Sequence, residues 1–196
     1  MNHFLALRLA DAPRDQLAAL SSRLQAWDLP ANWVHPDDFH LNLLFLGRCD
    51  ADEARTLPYT IEDLAQSLPR PQLRLAGLGA FGGRTEPRVV YAALEDRDGA
   101  CARAHLDLCD ALGMKPEAHF HPHVTICRPR PPHPHDATHP SIRSARPGRR
   151  DWPTLLEAHG LADWGECPTT ELVLYRSTDR TPRYAELASW RLLKAA

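Results

Sequence analysis

The chain has 196 residues, of which 43% are hydrophobic and 24% charged, a balance that excludes a disordered or fibrous protein and suits a single globular domain spanning residues 1–196. A formal net charge of −2 leaves no global basic field, so any nucleic-acid contact has to be local. All but Lys115 and Lys194 of the 23 basic residues are arginine, the side chain suited to bidentate phosphate contact.

The five cysteines, Cys49, Cys101, Cys109, Cys127 and Cys167, are odd in number and form no C-x-x-C pair, which reads as reduced thiols. The apolar stretch from Phe4 to Ala10 is short and broken by Arg8, and no run of 18 apolar residues exists. The expectation is a cytoplasmic protein, monomeric, without signal peptide or membrane span.

In chain order, His3 to Ala10 suits a strand, and Asp11 to Pro13 opens a helix with Leu17, Leu20, Leu24 and Trp27 at helical spacing. Phe39 to Leu46 is a second strand. The helical segments after it are expected to break at Pro58, with Thr60 and Asp63 as a capping box restarting the helix. Gln72–Leu78 and Arg88–Leu94 read as strands joined through Gly79, Gly82 and Gly83. A helix follows with Ala102, Leu106, Cys109 and Leu112 as its apolar face and Gly113 as its C-terminal cap. Phe120–Cys127 is a further strand.

From Arg128 to Pro153 the chain carries seven prolines, six arginines and three histidines without apolar periodicity, which reads as a surface insertion centred on residues 129–150. A short helix at Leu155–His159 and strands at Glu171–Arg176 and Ala185–Leu193 complete the chain. Helices and strands intermix without regular alternation, which favours an α+β fold.

Two strands share one pattern. His40-Leu41-Asn42-Leu43 lies within FHLNLLFLG, and His123-Val124-Thr125-Ile126 within FHPHVTICR. Side chains two apart on a strand face one side, so His40 and Asn42 point together, as do His123 and Thr125. Leu41, Leu43, Val124 and Ile126 then bury the other face and hold each imidazole on a rigid element. Two histidines can divide acid and base work near neutral pH, Asn42 and Thr125 can donate to an anionic oxygen, and Arg128 adds fixed positive charge.

These motifs sit in a chain that resembles the 2H phosphoesterases, specifically the RNA 2′,3′-cyclic phosphodiesterases once called 2′-5′ RNA ligases. The likeness runs through FLALRLADAPRDQLAAL, WVHPDDFHLNLLFLG, LGAFGGRTEPRVVYAAL, FHPHVTICR and ELVLYRSTDRTPRYAELASWRL, nearly everything outside the insertion. It implies a two-lobed, pseudo-two-fold fold of antiparallel sheets flanked by helices around a central cleft. The implied reaction opens a terminal RNA 2′,3′-cyclic phosphate to a 2′-phosphate without metal or other cofactor, with weak reversible 2′-5′ ligation. His123 would activate water and His40 would protonate O3′. Asn42, Thr125 and Arg128 would hold the phosphate of an RNA end or of a small cyclic nucleotide. The family usually has threonine or serine where this chain has Asn42.

Two rival readings accompany this one. An RNA-end-binding module without turnover would keep the cleft and lose the chemistry. A zinc hydrolase would use His119, His121 and His123, which share a face if residues 119–123 form a strand. Gly77-x-Gly79 precedes a strand rather than a helix and so lacks the dipole of a dinucleotide loop. Arg143, Arg146, Arg149 and Arg150 of the insertion are candidates for phosphate contact, and His133, His135 and His139 for incidental metal binding. Trp33, Phe81, Trp152 and Trp164 are the aromatics considered for base stacking.

Overall fold

A computed structural model describes residues 1–130 and 151–193. Among these, nine strands form one antiparallel sheet: β1 Asn2–Leu9, β2 Ala31–Trp33, β3 His40–Arg48, β4 Leu73–Phe81, β5 Val89–Asp96, β6 His123–Pro129, β7 Asp163–Glu166, β8 Thr169–Ser177 and β9 Tyr184–Arg191. Four α-helices accompany them: α1 Asp11–Gln25, α2 Ala51–Ser67, α3 Ala100–Ala111 and α4 Trp152–His159. The sheet order is β7-β4-β5-β6-β3-β1-β8-β9, with β2 added to β6. This is the α+β architecture with two halves that meet where β6 adjoins β3.

The meeting is narrow. β1 and β3 pair along almost their whole length, whereas β3 and β6 share one pair, Leu41 with Val124. Beyond it the second half of β6 takes β2 as its neighbour instead. A local two-fold axis passes through the Leu41–Val124 pair, and the parting of the strands leaves a cleft between the halves.

The opposite face of the sheet carries the core. Leu41, Leu43, Val124 and Ile126 are buried there as expected, in one cluster with Leu108 of α3, Ile61 of α2 and Leu155 of α4. α3 packs on β3 and β5, α4 on β4, and α2 against β9 and α3. Gly77, at φ 79°, admits α4: a Cβ there would stand 2.2 Å from the Gly160 carbonyl oxygen.

Several expectations are corrected. α2 runs unbroken through Pro58, because Asp50 caps it: its Oδ1 accepts from the N–H groups of Asp52 and Glu53, and Glu53 accepts from the Asp50 N–H. Buried Ile61 and Ala65 then hold the turns beyond the proline, and Thr60 donates its hydroxyl to the Thr56 carbonyl instead of capping. In α3 the buried face is Cys101, Ala104, His105, Leu108 and Cys109, while Leu106 is 52% exposed. Polar His105 takes a core position that an apolar template skips, so the face rotates by a residue.

Phe120 to Pro122 lie outside β6, which starts at His123, and the short strands β2 and β7 were not anticipated. Of the proline- and arginine-rich segment, Arg128 and Pro129 belong to β6 and Trp152 and Pro153 to α4. Its arginines Arg143, Arg146, Arg149 and Arg150 and histidines His133, His135 and His139 lie outside the described residues.

The face of α3 has a direct stability test. Leu108→Ala should cost about 2–5 kcal/mol in urea denaturation, and Leu106→Ala no more than about 0.5 kcal/mol. Equal losses would return the helix to the face expected from its sequence.

Candidate active site

The cleft has a volume of about 290 Å³, and His40, Asn42, His123, Thr125 and Arg128 all line it. The sequence motifs, 83 residues apart, therefore converge on one site. Carrying the Leu41–Val124 register one residue each way sets His40 beside Thr125 and Asn42 beside His123. Each imidazole thus neighbours the hydrogen-bonding residue of the other motif.

Arg128 reaches this face through a β-bulge. Along β5, Tyr91 pairs with Thr125 and Val90 with Cys127, so Ile126 is an extra residue and the alternation slips by one. Arg128, three residues after Thr125, then joins the cleft side. The first motif repeats the device. Ala6 pairs with Asn42 and Leu5 with Leu44, which makes Leu43 the extra residue and turns Phe45 into the cleft. Phe45 is the two-fold counterpart of Arg128, and it is 51% exposed, unlike the core aromatics. Strict alternation places it on the wrong face, which is why sequence reasoning missed it.

Both histidines are held in the same way. His40 Nδ1 lies 2.6 Å from the Asp38 carbonyl oxygen and His123 Nδ1 lies 2.7 Å from that of His121. Each carbonyl accepts from Nδ1–H, fixing the tautomer and leaving Nε2 to exchange protons. Ring packing fixes their orientation. Phe4 lies 4.9 Å from the His40 ring and Tyr184 meets it edge-on at 5.0 Å. Phe81 meets His123 edge-on at 4.9 Å, and Tyr91 lies 5.2 Å away. Gly79 makes room for Tyr91, since a Cβ there would fall 2.5 Å from its ring.

Asp38 is a second residue missed in the sequence, where it served only as a strand boundary. Its buried carboxylate accepts from the Arg183 N–H at 2.9 Å and the Tyr184 N–H at 3.2 Å. One residue thereby orients His40 through its carbonyl and seats Tyr184 through its side chain.

Burial is the largest influence on both imidazoles and disfavours their charged forms. It lowers His40 to about 4, helped by the nearby charges of His123 and Arg128 and resisted by the Asp38 carbonyl. His123 is lowered as well, with His121 and Arg128 adding to burial and the His121 carbonyl and Glu117 opposing it. Arg8, which pairs with His40 in register, is held by Glu171 and Glu186. Arg128 has no carboxylate partner among the described residues, so its charge is available to an anion in the cleft.

The three-histidine alternative is not gathered into a site. His119 and His121 lie in the connection before β6 rather than in the strand, and among the described residues no group of three or more His, Cys, Asp or Glu side chains is placed to hold a metal ion. Of the aromatics, Phe81 packs on His123, Trp152 is buried, and Trp33 and Trp164 pack against the core. Among the described residues no helix is long and apolar enough to cross a membrane.

Two antiparallel half-sheets, each bringing an H-x-(N/T) strand to a shared cleft, define a two-histidine phosphoesterase fold. The chain belongs to the 2′-5′ RNA ligase superfamily, whose model matches residues 13–156. A Geobacillus stearothermophilus protein named RNA 2′,3′-cyclic phosphodiesterase is 29% identical over 202 residues, covering 99% of this chain. The chain spans 58% of that relative's length. A Methanothermobacter thermautotrophicus protein of the same name is 25% identical over 131 residues, covering 66% of this chain and 71% of its own. Among solved structures, a Thermus thermophilus protein superposes with a TM-score of 0.68 at 24% identity, covering 98% of both chains. Escherichia coli LigT complexed with ATP gives 0.63 at 23% identity, covering 97% of this chain and 96% of its own.

The depressed imidazoles also bear on stability. With His40 at about 4 in the folded state and an ordinary value near 6.5 when unfolded, the unfolded chain takes up the proton first as pH falls. Stability should therefore decline between pH 6.5 and 4. In thermal scans His40→Asn should lose less Tm across that window than the wild type; an equal loss would contradict the assignment.

Proposed function

We propose that this chain hydrolyses the 2′,3′-cyclic phosphate of RNA ends to a 2′-phosphate, with His40 and His123 as acid and base. The observation that supports it best is the convergence of two imidazoles, two hydrogen-bond donors and an arginine with no carboxylate partner among the described residues on a single cleft, in a family whose relatives are named for this substrate.

In this mechanism Arg128, the Thr125 hydroxyl and the Asn42 amide hold the non-bridging phosphate oxygens. His123 Nε2 takes a proton from a water that attacks phosphorus in line with O3′. The P–O3′ bond breaks and His40 Nε2 delivers its proton to O3′, leaving the phosphate on O2′. With an RNA 5′-hydroxyl in place of water as the nucleophile, the same groups catalyse weak 2′-5′ joining: P–O5′ forms as P–O3′ breaks and His40 protonates O3′, and the reverse of that step regenerates the cyclic phosphate and the free 5′-hydroxyl. Asn42 in place of the family's threonine or serine still donates through its amide, on a longer arm.

The acid needs a proton that burial in the cleft discourages. The phosphodiester brings it a reason to charge, since a negative phosphate beside His40 favours the imidazolium. For free enzyme, however, both groups titrate below 6.5. The kcat/KM profile should accordingly peak on the acid side of pH 6.5 and fall above it, whereas kcat should hold to higher pH because it reports the occupied cleft. A kcat/KM maximum above about pH 7.5 would refute the assignment.

The central test uses an oligonucleotide ending in a 2′,3′-cyclic phosphate, with a linear phosphodiester as control. Single His40→Ala and His123→Ala variants should each lose about 10²–10⁴-fold in kcat while remaining folded, and wild-type turnover should persist in chelator. End-group analysis should find a 2′-phosphate; a 3′-phosphate would reverse the assigned leaving group. Tight binding without product would favour an RNA-end-binding module instead.

A further inference from the structure

Behind the cleft, on the core side of the sheet, lies a third histidine that the proposed reaction does not use. His105 of α3 is almost wholly buried, and both of its ring nitrogens are engaged. Nε2 accepts from the Glu117 N–H at 3.1 Å, so the proton resides on Nδ1, which donates to the Leu43 carbonyl at 2.8 Å. Its ring stacks on Phe120 with centroids 4.4 Å apart and planes within 7°. No rotation or tautomer change preserves all three contacts.

The partners tie it to the active site. Leu43 is the extra residue of the β3 bulge, one position beyond Asn42. Glu117 and Phe120 lie in the connection that holds His121 and leads into His123, the first residue of β6. One imidazole therefore touches the bulge of the first motif and the approach to the second. The two-fold counterpart sharpens the point. In β6 the extra residue is Ile126, and its carbonyl accepts from the Val34 N–H at 3.0 Å. Each motif strand bulges at its fourth residue, and each bulge carbonyl is captured from outside the strand, once by backbone and once by His105.

A bulge persists when its unpaired groups are satisfied and relaxes when they are not. In β3 its relaxation would return Phe45 to the wrong face and shift Asn42 and His40 along the cleft. Loss of the Glu117 contact would at the same time release the segment whose His121 carbonyl orients His123.

We propose that His105 is a positioning residue for the cleft: from the far face of the sheet it fixes the β3 bulge and the 114–122 connection together, and so sets the spacing of His40 and His123. The kinetic consequence rests on the cyclic-phosphate reading given above, whereas the structural consequence does not.

The test compares His105→Phe, which keeps the ring stack and removes both hydrogen bonds, with His105→Asn, which keeps a donor near the Nδ1 position. In the folded Phe variant kcat should fall at least about tenfold while KM stays within about threefold, because misplacement of catalytic groups by about 1 Å has costs of this order or more. The imidazole NMR resonances of His40 and His123 should both move. His105→Asn should recover most of the lost kcat and bring the His40 resonances back toward wild type. Should the Phe variant not fold, His105→Gln, which moves the donor away from Leu43, takes its place with the same expected loss. A folded Phe or Gln variant with wild-type kcat and unmoved resonances would overturn the proposal, as would Asn and Phe variants that are equally impaired. If wild-type enzyme does not turn over the cyclic substrate, the reading of the cleft fails, and the resonances alone decide the role of His105.

Discussion

The site depends on how little β3 and β6 share. A fully zipped pair would close the sheet across its middle and leave flat, solvated side chains; the single Leu41–Val124 pair joins the halves and then lets them part. Apolar burial holds that junction, since both residues are wholly inside the core with Leu43 and Ile126 beside them. The motif residues His40, Asn42, His123 and Thr125 stand on the other side of four buried aliphatic side chains, so packing fixes the strands that carry them.

The two bulges convert this junction into a site with more reach than alternation allows. Two flat strands would offer two residues each to the cleft before their side chains diverge. With Leu43 and Ile126 inserted as extra residues, each strand offers a third, Phe45 on one side and Arg128 on the other. Both bulge carbonyls are satisfied, that of Leu43 by His105 off the sheet face and that of Ile126 by the Val34 N–H at the end of the β2–β6 ladder.

Much of this was written in local pattern. The faces of His40 with Asn42 and of His123 with Thr125 followed from the period of two, as did the burial of Leu41 and Val124. Arg128 was singled out beside its motif, although only the bulge explains why it faces the same way as Thr125. What stayed hidden has a common cause: it depends on contacts between segments distant in sequence. Asp38 acts on Arg183 and Tyr184, His105 on Leu43 and Glu117, and the β2 strip finds its partner in β6, far along the chain. Pro58 misled for the opposite reason, because a strong local cap at Asp50 and distant packing of Ile61 outweighed a local breaker.

The internal two-fold is broken at Asn42 against Thr125 and, most strongly, at Phe45 against Arg128. A perfectly dyadic pocket would receive a ligand equally well in either sense and leave its two imidazoles interchangeable. Here Arg128 and Phe45 hold the counterpart positions, and the cavity acquires a handedness of charge: one wall suits an anionic moiety and the other a flat uncharged one.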